Sequence, residues 1–301
     1  MRQLKAVIRL VRPRQWVKNI FVLTALIFSG LVTDPVAVLH AALAFAAFCL
    51  AASATYLLND WRDIEDDRRH PLKCNRPLAA GDLPAWSGPV GALLAAGGAL
   101  VLGFGALGLG TGATIALYLV LNLGYSLGLK HLVIIDVLII SGGFVLRIVA
   151  GAMALDVLPS TWLILCAVTI SLFLGFTKRR AEVVLLGDKA SEHRRVLAHY
   201  STAFLDQMIS IVTAATVVCY ALYTVDPRTV VLVGSRLLLL SVPLVLYGIF
   251  RYLYLVYHGS SGGDPTRTVF TDIPLLVTGA LWGGWCTFVI LFGKGIKDFL
   301  L

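Results

Sequence analysis

Residues 36–58 read VAVLHAALAFAAFCLAASATYLL, and residues 59–77 follow as NDWRDIEDDRRHPLKCNRP. The first stretch holds no Asp, Glu, Lys or Arg. It is apolar on every face and long enough to cross a hydrocarbon core of about 30 Å as a helix. The second stretch is the densest charge cluster of the chain. A span of this kind satisfies its backbone internally only as an α-helix or as part of a closed barrel, and the period-2 alternation of barrel strands is absent. The pair of stretches therefore reads as a membrane helix opening onto a polar surface, and the fold class as all-α integral membrane.

Working outward, the composition agrees. Of 301 residues 58% are hydrophobic and 14% charged, with a mean hydropathy of +0.85. Water-soluble domains carry about 25% charged residues. About nine spans are expected, near 16–33, 36–58, 86–107, 109–129, 132–152, 160–178, 203–224, 231–257 and 271–293, all within one multi-pass domain covering 1–301. The net charge of +8 comes from bases in the connections between spans, so topology explains it and no nucleic-acid-binding motif accompanies it. Bases concentrate in 59–85 (Arg62, Arg68, Arg69, Lys73, Arg76), at Lys130 and in 179–202 (Arg179, Arg180, Lys189, Arg194, Arg195). The other side keeps Arg228, Lys294 and Lys297. This asymmetry predicts a cytoplasmic N-terminus and cytoplasmic polar loops. The basic N-terminus leads into a retained first span rather than a cleaved signal. Five scattered cysteines (Cys49, Cys74, Cys166, Cys219, Cys286) support neither a zinc site nor a disulfide framework. The Gly/Ala-rich third span permits close helix contact, internal or between subunits of a homo-oligomer.

Four constellations carry chemistry. Asp60, Asp63 and Asp67, at i, i+3 and i+7, share one face if the helix continues past Tyr56. Carboxylates in this array suit a hard divalent cation. The plain alternative is a solvated helix end whose acids pair with Arg62, Arg68 and Arg69. Asn59, Arg68, His70, Lys73 and Arg76 are candidate phosphate ligands; Pro71 and Pro77 stiffen the loop, and His70 is extended before its proline. Tyr125, Lys130 and Asp136 form a second group. Asp136 lies about one turn inside a span, where an ionisable residue is a functional candidate by default; the alternative is a partner for Lys130 or Arg147. Gln15, Lys18 and Asn19, near Trp16, suit an anionic lipid headgroup or an ordinary interfacial anchor. Lys178 and Arg179 close the sixth span, with Glu182 as an ion-pair partner.

The segments RPRQWVKN (12–19), NDWRDIEDDRRHPLKCNRPLAAG (59–81), YSLGLKHLVIID (125–136) and KRRAE (178–182) together resemble the UbiA superfamily of membrane prenyltransferases. The resemblance implies a nine-helix bundle with a cytoplasm-facing polar cavity in a bacterial plasma membrane. The match is nearest to a branch that moves a 5-phosphoribosyl group from phosphoribosyl diphosphate to a polyprenyl phosphate for lipid-linked arabinose supply. It implies Mg2+ on Asp60, Asp63 and Asp67. Donor contacts would come from Asn59, Arg68, His70, Lys73, Arg76, Tyr125, Lys130 and Asp136, and acceptor contacts from Gln15, Lys18, Asn19, Lys178 and Arg179. Aromatic prenyltransferases of the superfamily carry a second Asp-x-x-x-Asp motif; here Asp136 is followed four residues later by Ile140, which counts against a prenyl diphosphate donor. Transfer of an isoprenyl group, and lipid-phosphate transport without chemistry, are the competing readings.

Overall fold

The computed structural model describes residues 2–69, 73–186, 195–258 and 271–300. Among these, the regular elements are all helical. In chain order the α-helices are α1 (Arg2–Val11), α2 (Thr24–Phe28), α3 (Pro35–Arg62), α4 (Ile64–Arg69), α5 (Ser87–Leu100), α6 (Leu109–Leu127), α7 (Ile135–Ala154), α8 (Thr161–Leu186), α9 (Thr202–Val225), α10 (Pro227–Val233), α11 (Val242–His258) and α12 (Ile273–Leu300). Local chemistry sets several ends. Asp34 caps α3 by accepting from the Val36 N–H at 3.0 Å, with Pro35 in the first turn, where a missing N–H does no harm. Ser201 caps α9 through the Phe204 N–H at 3.1 Å. Gly108 (φ 89°) separates α5 and its π-helical continuation, Val101–Ala106, from α6.

Among the described residues, eight helices are long and apolar enough to cross a membrane: Pro35–Arg62, Ser87–Ala106, Leu109–Leu127, Ile135–Ala154, Thr161–Leu185, Thr202–Val225, Leu237–His258 and Ile273–Gly293. Their apolar side chains point outward in numbers no water-soluble core would tolerate; Leu93 is 74% exposed and Leu109 77%. This is a multi-pass membrane protein. The ninth expected span, 16–33, is not one helix. It consists of a 3-10 helix over Pro13–Leu23, then α2, then a 3-10 turn at Leu31–Thr33 after Gly30 in left-handed conformation (φ 75°). With three residues per turn, every third side chain of a 3-10 helix lies on one face. Trp16, Asn19 and Val22 form that face. The Trp16 indole donates to Ser53 Oγ (3.1 Å), Asn19 is fully buried, and Val22 sits in the core. Trp16 thus packs on α3. The expected eighth span, 231–257, is likewise interrupted: Gly234 (φ 81°) ends α10 before the next element begins.

The chain forms two compact units. The first comprises the residues to Gly128 with Gly143–Pro159, and the second Leu129–Gly142 with Ser160 onward. In the first, α3 is the central helix. Its Ala-rich face (Ala44, Ala47, Ala51) packs with Phe48, Ala99, Ile115, Tyr118 and Ala150. The small residues of α5 face it too, since a methyl group on Gly91 would meet Leu57 at 3.3 Å and one on Gly98 would meet Leu50 at 3.4 Å. In the second, Phe173, Phe176, Leu205, Ile209, Ile249 and Tyr252 make the core between α8, α9 and α11.

Candidate active site

In the first unit the charge cluster folds back on the end of α3. Asp63 ends that helix, and α4 restarts at once, its Asp67 N–H donating to the Asp63 carbonyl at 2.8 Å. The near-continuity keeps Asp60 and Asp67 on a common side. Asp60 is 2% exposed and Asp67 3%, while Asp63 is half-buried and Glu65 and Asp66 are exposed. Arg76 returns from the loop beyond α4 and bridges the two buried acids: its Nη1 donates to Asp67 Oδ2 at 2.6 Å and to Asp60 Oδ1 at 3.1 Å. The loop is held by the Ala80 N–H on the Arg76 carbonyl (2.8 Å) and by Leu78, which packs with Leu10, Leu57 and Ala92.

A second guanidinium, that of Arg12, donates to the same Asp60 Oδ1 and lies over the Tyr56 ring at 5.1 Å. Arg12 adopts φ 56°, ψ 57°, a left-handed conformation that costs a non-glycine residue about 1–2 kcal/mol. The proline that follows it disfavours the right-handed helical region for Arg12, and the Gln15 N–H caps its carbonyl at 2.9 Å. The other carboxylate oxygen, Asp60 Oδ2, is buried with no hydrogen-bond partner among the described residues. An orphaned, acceptor-only carboxylate oxygen next to a second buried carboxylate fits a hard cation. Asp60 and Asp67 are therefore compatible with the expected ion. As they stand, however, the described residues hold no cluster of three or more acidic, His or Cys side chains poised on a metal; the arginines take that place.

Asn59 accepts from Ser126 Oγ at 2.6 Å, and Arg62 donates to the Ser126 carbonyl at 2.7 Å, so α6 is tied to the acidic end of α3 beside the half-buried Tyr125. Arg68 is turned outward, donating to Glu65 at 2.7 Å, and Lys73 is exposed. His70 lies outside the described residues, as do Pro71, Lys189 and Arg194. Gln15 and Lys18 are half-buried. Asn19 is not at a headgroup position. Its Oδ1 accepts from Arg147 Nε at 2.8 Å and its amide donates to Cys49 Sγ at 3.3 Å. Arg147, 5% exposed, also donates to the Gly143 carbonyl (2.7 Å) and Tyr118 Oη (3.2 Å), inside a box of Phe48, Tyr118 and Phe144 rings 4.9–5.6 Å away.

In the second unit Asp136 is fully buried. Its Oδ2 accepts from Arg179 Nε at 2.7 Å and its Oδ1 from Tyr200 Oη at 2.8 Å. Arg179, 1% exposed, also donates to Glu182 at 2.7 Å. Asp136 and Arg179, expected on donor and acceptor respectively, are thus joined in one buried ion pair. Lys178 is exposed and Lys130 half-buried. Burial pushes the Tyr200 phenol above its ordinary pKa, and the neighbouring Asp136 carboxylate adds to this. The group stays protonated at neutral pH and serves as a donor. Its oxygen accepts from the Ile134 N–H at 2.7 Å, and Ile134 sits at φ 69°, a rare position for a β-branched residue.

A bundle of membrane-crossing helices with an arginine-clamped pair of aspartates at the end of α3 is the setting of a membrane transferase. The chain belongs to the UbiA prenyltransferase family, whose model matches residues 19–273. It is 36% identical over 280 residues to the decaprenyl-phosphate phosphoribosyltransferase of Corynebacterium glutamicum, covering 91% of this chain and 83% of that one. To the decaprenyl-phosphate phosphoribosyltransferase of Mycolicibacterium smegmatis it is 34% identical over 301 residues, covering 95% and 92%. Among solved structures, the UbiA homolog from Archaeoglobus fulgidus bound to GPP and Mg2+ shares the fold, with a TM-score of 0.69 at 16% identity over 95% of this chain and 99% of that one.

Proposed function

We propose that this protein transfers the 5-phosphoribosyl group of phosphoribosyl diphosphate to a polyprenyl phosphate, releasing diphosphate, in a bacterial plasma membrane with the acidic cluster facing the cytoplasm. The observation that carries the reading is identity of 33–36% to decaprenyl-phosphate phosphoribosyltransferases over nearly the whole chain. The family match runs through both compact units, which supports a single functional domain. The basic residues between spans support the orientation.

Asp60, Asp63 and Asp67 would hold Mg2+, which when bound supplies positive charge to the leaving diphosphate. Arg12 and Arg76 are the side chains placed to share that load. Arginine suits it because its planar fork matches phosphate oxygens and its charge persists at any working pH. The acceptor phosphate is anionic already, so no general base is required. One of its oxygens forms the new bond to C1 of the ribose, while the C1–O bond to diphosphate breaks and its electron pair leaves with diphosphate, inverting C1. Asn59, held by Ser126, orients the neighbouring edge of the site. Asp136, Arg179 and Tyr200 form a buried hydrogen-bonded group within the second unit.

The test is purified protein with Mg2+, radiolabelled phosphoribosyl diphosphate and a polyprenyl phosphate, scored for a charged labelled lipid. Asp60→Asn lowers turnover at least a hundredfold with the melting profile retained. A wild-type protein that makes no such lipid, but alkylates an acceptor from a prenyl diphosphate, overturns the reading.

A further inference from the structure

We propose that Arg12 and Arg76 make this site accept a divalent cation and a diphosphate only as a unit, each partner being rejected alone. The inference rests on the reading of the aspartates as a cation site and of diphosphate as the leaving group.

The argument is one of charge at close quarters. Asp60 and Asp67 are both nearly inaccessible, and they carry two negative charges into a site with little water. Arg76 donates to both through one nitrogen, and Arg12 donates to Asp60 Oδ1 as well. The two buried carboxylates, Asp60 and Asp67, are offset by the two guanidinium groups that hold them, so without ligands this buried pair is already neutralised. A bare divalent cation entering at the orphaned Asp60 Oδ2 faces two fixed guanidinium groups and gains only acids that are already paired. A bare diphosphate approaching the guanidinium groups meets the acids to which they are bound. When both enter, the carboxylates pass to the cation and the guanidinium groups to the diphosphate, so none of the four side chains is left without a partner. In a poorly solvated site this exchange decides occupancy, because an unpaired buried charge is costly. Arg12 and Arg76 can make the move: their side chains are 25% and 26% exposed, whereas the acids they hold are about 2% and 4% exposed. Arg76 is therefore a specificity-determining residue, excluding free cations from a site whose acids would otherwise collect them.

The experiment is a melting series on the full chain in detergent, with magnesium chloride alone, sodium diphosphate alone, and both. The wild type is expected to show no stabilisation with either alone and a rise of about 3 °C or more with both. Arg76→Gln frees Asp67 and half-frees Asp60, so magnesium alone now stabilises and diphosphate adds little. Arg76→Lys, which keeps the charge on a shorter side chain without the planar fork that suits a diphosphate, gives an intermediate pattern and serves if the glutamine variant does not fold. Magnesium alone stabilising the wild type as strongly as the mixture overturns the proposal, as does an unchanged pattern in the Arg76 variants. Repeating the series with phosphoribosyl diphosphate separates the two readings. Joint binding with diphosphate but none with phosphoribosyl diphosphate supports the clamp and overturns the donor assignment.

Discussion

Arg147 poses the sharpest question at the scale of single residues. It is a buried cation whose resolved hydrogen-bond partners, Asn19, Gly143 and Tyr118, are all uncharged. Three aromatic faces compensate it, at about 0.5–2 kcal/mol each. Removing it strands the fully buried Asn19 side-chain oxygen, at about 1–3 kcal/mol. Arg147→Met is therefore expected to lower the melting temperature and to cut turnover at least tenfold, because Asn19 belongs to the segment that delivers Arg12. Adding Asn19→Leu to it should change little more, a non-additivity that a double-mutant cycle would detect. Independent, additive losses would refute the coupling. The pairing of Asp60 with Asp67 was readable from spacing, since residues seven apart share a helical face and the break at Asp63 does not separate them. Arg12 and Ser126 were not. Their partners lie 48 and 67 positions away, and nothing local distinguishes Arg12 from Arg9 or Arg14. Asp136 was readable as important, but its partner Arg179 is 43 positions off and looked like one more basic residue at a helix end.

At the scale of elements, the 3-10 segment Pro13–Leu23 connects sequence to site. It runs so close to α7 that a methyl group on Gly151 would sit 1.9 Å from the Val22 carbonyl oxygen. That neighbour is backbone and cannot rotate away. Gly151→Ala should thus displace the segment, cost about 1–3 kcal/mol and reduce turnover, whereas Gly279→Ala, with nothing within 4 Å of the added carbon, should melt and turn over like the wild type. Equal behaviour of the two variants would show the close approach to be unimportant. The segment was misread as an α-helical span because hydropathy windows count apolar residues and ignore the repeat. Trp16, Asn19 and Val22 recur with a period of three, the repeat of a 3-10 helix. The other spans were read well, since about twenty apolar residues in lipid have few alternatives to a helix. One boundary shifted where Gly234 interrupts a run that composition leaves continuous.

For the whole molecule, family, helical architecture and reaction class were accessible from four short segments, because the residues that bear on phosphate chemistry cluster at helix ends. The proposed orientation has a direct check. Ala80, in the exposed turn after Arg76, replaced by cysteine, is expected to escape a membrane-impermeant thiol reagent in intact cells and to react once the membrane is opened; labelling in intact cells would invert the topology. The tightly wound first segment also bears on reach. A 3-10 helix rises about 2.0 Å per residue against about 1.5 Å for an α-helix, so Pro13–Leu23 extends about 22 Å and, with α2, about 30 Å. That is the thickness of a bilayer core, reached with fewer residues than an α-helical crossing needs. A stretch of chain too short for the usual ruler is long enough once it is wound more thinly.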